Sequence, residues 1–299
     1  MQKALVTGAK GFLGREITDH LKSAGFEVKT LGRSKCDYNF SLEKGEPSFN
    51  QKFDLVVHVA GKAHIVPKTK EEADDFFAVN VTGTENLLKA LDSSDIKEFV
   101  FISSVSAYGL KQGLSINEDN PLLASDPYGR SKILAESVIQ DWCSKRNVTY
   151  TALRLPLLVG KNPPGNLGAM IQSVKKNKFF TIGGGVASKS MVLTRDVARL
   201  IPMISKIGGV YNVTDGYNPT FRELSDAFEK CYDKKVYNLP LFPFQILAKL
   251  GDSFKFIPFN TLMLNKIILN FTFDDSKLRK ALVDWKPTPV IDYLKSNVL

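Results

Sequence analysis

The 299-residue sequence predicts an α/β fold, a Rossmann-type doubly wound parallel sheet with a smaller C-terminal substrate-binding cap. In the first half, short apolar runs alternate with longer amphipathic stretches, which is typical of βαβ units. The short runs are continuous in Val, Ile, Leu and Phe, which indicates strands covered on both faces. Glycine- and proline-rich loops follow. We therefore place the first domain at residues 1–160 and mainly the cap at 161–299, with some later segments returning to the first core.

The elements of the first domain follow from run length and period. The predicted strands are KALVT, FEVKTL, DLVVHVAG, EFVFISS and TYTALRL, of which TYTALRL closes the series. The predicted helices are GFLGREITDHLKSAG, which ends at Gly25, then EEADDFFAVNVTGTENLLKAL and YGRSKILAESVIQDWCSK. Each helix lies between two strands, as a parallel sheet requires.

The composition limits the function classes. Apolar residues make up 43% and charged residues 24% of the chain, which is typical of a folded globular protein. The net charge of +9 favours anionic partners such as nucleotides, but no basic run is interleaved with aromatics, so we expect no nucleic-acid binding. Three distant cysteines without CxxC spacing predict neither a disulfide framework nor a metal site. We expect no secretory signal and a cytoplasmic location.

The most hydrophobic stretch runs from Leu239 to Phe271. Prolines and the charged residues Lys249, Asp252 and Lys255 interrupt it below the ~20 apolar residues that a spanning helix needs. We therefore expect no membrane span, and we interpret the stretch as core or substrate-lid helices. Contact with a membrane surface is the lesser alternative.

A glycine-rich turn lies between the first predicted strand and the first predicted helix. Gly8, Gly11 and Gly14 have GxxGxxG spacing, and Phe12 and Leu13 lie within the turn. Such glycines allow a tight turn and a close approach of the backbone to a pyrophosphate at the helix N-terminus. A purely steric turn is the alternative. The position between strand and helix favours a dinucleotide site at these five residues.

The end of the second strand bears on the choice of dinucleotide. NAD sites usually carry an acidic residue there, whereas this chain has Arg33. A guanidinium suits the 2′-phosphate of NADP, so NADP is favoured over NAD, although an exposed loop arginine would look the same. Asp37 could accept a hydrogen bond from the adenine amino group, or form an Asx turn.

Tyr128 and Lys132 lie one turn apart in a predicted helix, so phenol and ammonium can approach the same object. Taken alone, the pair is more typical of a helix that packs its tyrosine inward and leaves its lysine in water.

Five segments, in order and spacing, resemble the extended short-chain dehydrogenase/reductase superfamily, the NAD-dependent epimerase/dehydratase family. They are TGAKGFLG, DLVVHVAG, NVTGTENLL, FVFISSVSAYG and PYGRSK. The resemblance runs from Lys3 to about Gly160 and continues weakly to FDDSKLRKALVDWKPTP. Within the superfamily, the chain is similar to bacterial nucleotide-sugar 4-epimerases and to the related UDP-sugar 4-ketoreductases of surface-polysaccharide synthesis.

The resemblance implies hydride transfer at a sugar carbon, with Tyr128 as acid/base. Lys132 would lower the pKa of the phenol and bind the nicotinamide ribose, and Ser104 would hold the carbonyl oxygen. The further expected cofactor contacts are Tyr38, Ala60, Gly61, Asn80 and Pro156. Dehydratases carry Asp-Glu after the serine, whereas Val105 and Ser106 stand here, which argues against dehydration.

The expected substrate contacts lie in the second half, with one exception. The resemblance implies that Asn166 and the Leu167 backbone contact the nucleotide diphosphate and that Lys189 contacts a phosphate. His64 could face the sugar or be an ordinary loop residue. Leu157 stands where many epimerases have asparagine, and the arginine expected before FDDSK is absent, so the nucleotide stays open, with UDP expected.

Three functions remain open. The first is a nucleotide-sugar epimerase or 4-ketoreductase, and the second is an NADPH-dependent reductase of a non-sugar carbonyl, favoured by apolar residues around Phe254 and Phe256. The third is a catalytically silent NADP-binding protein, which the presence of Ser104, Tyr128 and Lys132 disfavours. The helix that carries Tyr128 has enough apolar positions to form a homodimer interface. A helix that faces the core would show the same pattern, so both remain possible.

Overall fold

The computed structural model describes residues 1–63, 65–92, 95–254 and 256–296. Its strands are β1 Lys3–Thr7, β2 Glu27–Gly32, β3 Tyr38–Asn39, β4 Leu55–His58, β5 Glu98–Ser104, β6 Gly113–Ile116, β7 Thr149–Leu155, β8 Leu157–Val159, β9 Phe180–Ile182, β10 Met191–Leu193, β11 Gly209–Asn212, β12 Tyr237–Leu239 and β13 Phe271–Phe273. Its helices are α1 Phe12–Ser23, α2 Lys70–Phe77, α3 Gly83–Ala90, α4 Pro127–Arg146, α5 Gly165–Lys175, α6 Thr194–Ile204, α7 Phe221–Tyr232, α8 Leu241–Ser253, α9 Thr261–Ile268, α10 Ser276–Ala281 and α11 Val290–Ser296.

Seven parallel strands form the central sheet in the order β11-β7-β5-β4-β1-β2-β3. The predicted fold class is confirmed. The chain leaves β1 toward β2 and returns to β4 on the other side, which opens a crevice at the carboxyl ends of β1 and β4. The prediction that TYTALRL closes the series is wrong, because β11 pairs outside β7. Strand β11 has only four residues, too short a run for the sequence pattern to predict a strand.

The sheet is covered on both faces, as its continuous apolar strands predicted. Ala4 and Val6 of β1 face one core cluster with α1 and α6, and Leu5 faces a second cluster with α3 and α4. The first cluster also contains residues from later in the chain, among them Tyr211 and Trp285. Segments beyond residue 160 thus pack into the first core, and the boundary at 160 itself stays a prediction.

Helix α4 is fixed at both ends by local chemistry. The Asp126 carboxylate accepts from the Gly129 N–H at 3.0 Å, and Pro127 occupies the first turn. Asn147 ends the helix with a φ of 55°. The long helix predicted across α2 and α3 is continuous but contains a π-helical turn at Ala78–Thr82.

A buried ion pair ties α4 to the sheet. The Arg154 guanidinium of β7 donates to both carboxylate oxygens of Glu136 in α4, through Nε at 3.2 Å and Nη2 at 2.8 Å. Ser103 of β5 also donates to Glu136. Arg154 Nη1 donates to the Tyr108 hydroxyl at 3.1 Å, which donates to Asn212 of β11 at 2.8 Å. One network therefore joins α4 to three strands.

The cap is built from short elements. Two-stranded parallel pairs form between β8 and β10, β9 and β12, and β6 and β13. Helices α5, α7 and α11 share one apolar cluster, and α8 and α9 share a smaller one. For α8, the core alternative for Leu239–Phe271 is wrong, because Ala248 alone of its thirteen residues is buried; the substrate-lid alternative stays a prediction. No helix within the described ranges is long and apolar enough to cross a membrane.

We predict that Glu136→Gln lowers the free energy of unfolding by about 3–5 kcal/mol, because it leaves the Arg154 charge buried without an opposite charge. Urea denaturation of wild type and variant measures the difference. Asp95→Asn, which breaks an exposed pair with Lys52, is the control and should leave the midpoint nearly unchanged. Equal midpoints for Glu136→Gln and wild type would contradict the prediction.

Candidate active site

The glycine turn packs backbone against backbone at the carboxyl end of β1. Gly8 has a φ of +65°, and a Cβ there would lie 2.7 Å from the Ala60 nitrogen. A Cβ on Gly14 would lie 2.2 Å from the Gly8 carbonyl oxygen, so α1 can start only with glycine at that position. Gly11 caps α1, and no side chain of the described residues hydrogen-bonds that cap.

The start of α1 therefore presents unpaired N–H groups. Because α1 carries no acidic residue in its first turn, the positive end of its dipole is not neutralised locally. Phe12 and Leu13 begin the helix, with Leu13 buried beneath the turn. Bare backbone, a tight turn and an open helix N-terminus fit the pyrophosphate of a dinucleotide.

His58 organises the end of β4. Its Nδ1 lies 2.7 Å from the Thr7 hydroxyl and its Nε2 lies 2.9 Å from the Thr84 hydroxyl. Thr7 also accepts from the N–H groups of Val59 and Ala60, so its own proton points to Nδ1. The Thr84 proton goes to the Asn80 carbonyl, which leaves Nε2 as the donor to Thr84. Burial, with the charge of Lys132 second, lowers the pKa of His58 to about 3, so the ring is neutral.

Asn80 connects three parts of the site from the π-helical turn. Its side-chain oxygen accepts from the Lys62 N–H at 2.7 Å, and its amide donates to Ser131 of α4 at 2.8 Å. A Cβ on Gly61 would lie 3.1 Å from that oxygen and 3.3 Å from Lys132 Nζ. Ala60 and Gly61 thus leave a shallow cradle between the glycine turn and α4.

Ser104 and Tyr128 meet at the carboxyl end of β5. Ser104 is the last residue of the strand, and its hydroxyl accepts from the Ser106 N–H at 3.1 Å. The Tyr128 phenol hydrogen-bonds Ser104. Burial raises the pKa of Tyr128, the Ser104 bond opposes this, and Asp126 adds to it. The phenol of the protein alone is therefore protonated.

Lys132 lies one turn further along α4 and is 5% exposed. Its ammonium donates to the Ile102 carbonyl of β5 at 2.9 Å and lies 4.7 Å from the centre of the Phe101 ring. Burial lowers its pKa to about 8, against the opposing charge of Glu136. In the protein alone, burial is the largest influence on the phenol and raises its pKa, and the expectation that Lys132 lowers this pKa when the cofactor is bound stays a prediction.

A basic cleft of about 630 Å³ runs beside the glycine turn. Its charged lining residues are Lys10, Arg15, Asp19, Lys22, Lys35 and Asp37. Arg33, on which NADP was predicted, is exposed just outside this lining. Sequence reasoning missed Lys10 and Lys35, although both are adjacent to predicted cofactor elements.

Asp37 is held by β2. One carboxylate oxygen accepts from the Thr30 N–H at 2.9 Å and from the Thr30 hydroxyl at 2.6 Å. Burial alone would raise its pKa, but the Thr30 bonds and Lys29 lower it. The Asx-turn alternative is wrong, because the partner lies seven residues earlier. Tyr38 packs on Phe49 and donates to Asn50 at 2.6 Å.

The expected substrate residues are spread over the cap. Asn166 is exposed and Leu167 is buried, both in the first turn of α5. Lys189 donates to the Leu269 carbonyl at 2.7 Å, and burial lowers its pKa to about 8. Pro156 lies between β7 and β8. The prediction for His64 lies outside the described residues.

Comparison with known proteins settles the family. The family model described as the NAD dependent epimerase/dehydratase family matches residues 4–214, about 70% of the chain. The chain belongs to this family. It is an enzyme of the extended short-chain dehydrogenase/reductase type, as the motifs predicted.

Relatives agree with this membership. An N-acetyl-alpha-D-glucosaminyl-diphospho-ditrans,octacis-undecaprenol 4-epimerase from Escherichia coli O157:H7 is 26% identical, over 93% of this chain and 88% of that protein. A UDP-glucose 4-epimerase from Lactobacillus helveticus is 31% identical, over 68% of this chain and 69% of that protein. The structure of a UDP-N-acetylglucosamine 4-epimerase from Bacillus cereus shares the fold, with a TM-score of 0.75 at 22% identity over 99% and 98% of the two chains.

We predict that stability falls as the pH drops below about 6.5, because unfolded His58 takes up a proton that the native ring, with its pKa of about 3, refuses. The contribution is complete above pH 6.5 and changes by up to about 1.4 kcal/mol per pH unit below it. In urea denaturation between pH 4.5 and 7.5, the free energy of unfolding should depend less on pH in His58→Gln than in wild type. His20→Gln, at a less buried ring, should change the slope little, and an unchanged slope in His58→Gln would refute the assignment.

Proposed function

We propose that the enzyme is an NAD(P)-dependent nucleotide-sugar 4-epimerase or 4-ketoreductase in which Tyr128 is the acid/base. The observation that carries the proposal is the hydrogen bond between Ser104 and Tyr128, with the buried Lys132 one turn further along α4. Two relatives named as 4-epimerases act on a sugar carried by a diphosphate, which supports the substrate class.

Ser104 and Tyr128 have separate roles at the C4 oxygen of the sugar. A nicotinamide ring, when bound, supplies the hydride acceptor or donor. Ser104 can donate to a C4 carbonyl oxygen, and the protonated Tyr128 phenol can give its proton to that oxygen in the reducing direction. In the oxidising direction, the same phenol as phenolate takes the proton from the C4 hydroxyl. The raised pKa of Tyr128 makes the proton-donating form the resting one.

Lys132 acts on this proton transfer through its charge. Its pKa of about 8 keeps the ammonium protonated at neutral pH, and its bond to Ile102 fixes it next to β5. From there it can hold the nicotinamide ribose and favour phenolate when the phenol must act as base. Val105 and Ser106 offer no acid and base for dehydration.

The two members of the proposed pair differ in how they use the dinucleotide. An epimerase retains its dinucleotide through turnover, whereas a reductase consumes it. The basic cleft favours a 2′-phosphate and hence NADP, because Lys10 and Lys35 place two ammonium groups beside the glycine turn. UDP is the proposed nucleotide, with Asn166, Leu167 and Lys189 as its proposed contacts.

We predict that Tyr128→Phe lowers kcat by at least about 10²-fold with UDP-glucose or UDP-N-acetylglucosamine, because the proton donor at C4 is lost. Coupled spectrophotometry of 4-epimer formation, and of NADPH oxidation with the 4-keto sugar, checks both reactions. Tyr237→Phe, at an exposed tyrosine of the cap, is the matched control and should keep full activity. Unchanged turnover in Tyr128→Phe would remove the catalytic assignment.

We predict that the Lys10→Ala, Lys35→Ala double variant weakens NADPH binding by about 10-fold or more and leaves NADH binding nearly unchanged, because only NADPH carries the extra phosphate. Titration by nicotinamide fluorescence measures the dissociation constants for NADPH and NADH, with Lys44→Ala as the control at an exposed lysine.

The nucleotide released on denaturing the fresh protein is identified in parallel. About one NAD per chain, with equal NADPH and NADH affinities, would count against NADP and favour an epimerase.

A further inference from the structure

The outer side of α8 carries an apolar stripe that the fold does not bury. Phe242, Ile246, Leu250 and Phe254 are spaced four residues apart, so their side chains lie on one face of the helix and its last turn. The Phe256 ring lies 5.7 Å from the Phe254 ring and extends the stripe. We call these five residues the cap face. Their exposed fractions run from 44% at Leu250 to 82% at Phe256.

The opposite side of α8 already fixes the helix. Leu241, Phe244 and Ala248 pack into the cluster that includes Leu264 of α9. A Cβ on Gly251 would lie 1.9 Å from the Phe259 carbonyl oxygen, so the two segments are in backbone contact. The cap face is therefore not required to hold α8 in place. A contiguous apolar surface of this kind marks an interaction site, because each large side chain left in water forgoes about 1.5–3 kcal/mol.

The segment that carries the cap face is strongly basic. Residues 234–270 contain five lysines and one aspartate, with no arginine or glutamate. Lys249 is exposed on α8 next to the stripe, and Lys266 is exposed on α9. The Asp252 carboxylate is engaged by the N–H and hydroxyl groups of Thr261. A phenylalanine-rich stripe bordered by lysines is complementary to an anionic lipid surface.

A second copy of the chain suits this face less well. A two-fold contact would place the face against itself and bring two lysine-rich borders together, with like charges opposed. None of the described helices is long and apolar enough to cross the bilayer. A helix lying in the plane of the membrane surface uses both the apolar stripe and the lysines.

We propose that the cap face docks this enzyme peripherally on an anionic membrane surface. The stripe enters the boundary between headgroups and acyl chains, and Lys249 and Lys266 contact lipid phosphates. The inference does not rest on the proposed sugar chemistry, because none of the cap-face residues belongs to the candidate active site.

Co-sedimentation with vesicles tests the docking. Wild type should bind vesicles of phosphatidylcholine with 40% phosphatidylglycerol, and bind pure phosphatidylcholine vesicles at least 5-fold more weakly. The triple variant Phe242→Ser, Ile246→Ser, Leu250→Ser should lose at least 10-fold of its affinity for the anionic vesicles. The control Leu114→Ser, Val283→Ser removes two highly exposed apolar residues elsewhere and should bind as wild type does.

A second measurement does not depend on the stability of the triple variant. Phe256→Trp places an indole on the cap face, whereas the two native tryptophans are at most 8% exposed. Its emission should shift to the blue on addition of anionic vesicles and be quenched by brominated acyl chains. Turnover of a soluble UDP-sugar should be the same in wild type and in the triple variant, so a failure of docking is distinct from a failure of the proposed activity.

Three outcomes would overturn the proposal. Wild type could stay in the supernatant with anionic vesicles, or the triple variant could bind them as tightly as wild type does. Analytical ultracentrifugation without lipid could instead show a dimer that the triple variant dissociates, which would make the cap face an interface between two copies.

Discussion

The buried pair between Glu136 and Arg154 is the constraint on which the candidate active site at the carboxyl end of the sheet depends. It fastens α4 to β7 through the guanidinium and to β5 through Ser103, the neighbour of Ser104. Glu136 lies one turn beyond Lys132 on the same helix. Since Tyr128 and Lys132 lie on α4 and Ser104 lies at the end of β5, the pair fixes the distance between the two halves of the proposed catalytic group. Charge buried for this purpose contributes geometry more than net stability.

Burial also explains the protonation states of the site. It raises the pKa of Tyr128, lowers that of Lys132 to about 8 and lowers that of His58 to about 3. Each shift disfavours the charged form, as expected where a sheet edge, a helix and a glycine turn exclude water. Neighbouring groups oppose the shifts of Tyr128 and Lys132 and add to that of His58, but they reverse none of the three. Of these three groups, Lys132 alone is charged at neutral pH.

The sequence predicted what depends on neighbours in the chain and missed what depends on distant partners. The glycine turn, β1 and α4 carry their own signals in periodicity, capping and spacing, and they lie where expected. The edge strand β11, four residues long, is defined by its pairing with β7 rather than by its composition. The roles of His58 and Arg154 likewise arise from residues that are up to 51 positions away along the chain. For α8, the sequence showed the apolar content but not which side of the helix stays exposed in the fold.

The π-helical turn at Ala78–Thr82 has a consequence for how this chain can vary in length. A π turn is an α-helix that accommodates one additional residue, so removing a residue there would restore regular helical hydrogen bonding. The flanking helices would keep their phase, but Asn80 lies inside the turn and would lose the position from which it contacts Lys62 and Ser131. A more regular helix in this segment would therefore cost the candidate site the contacts that Asn80 makes.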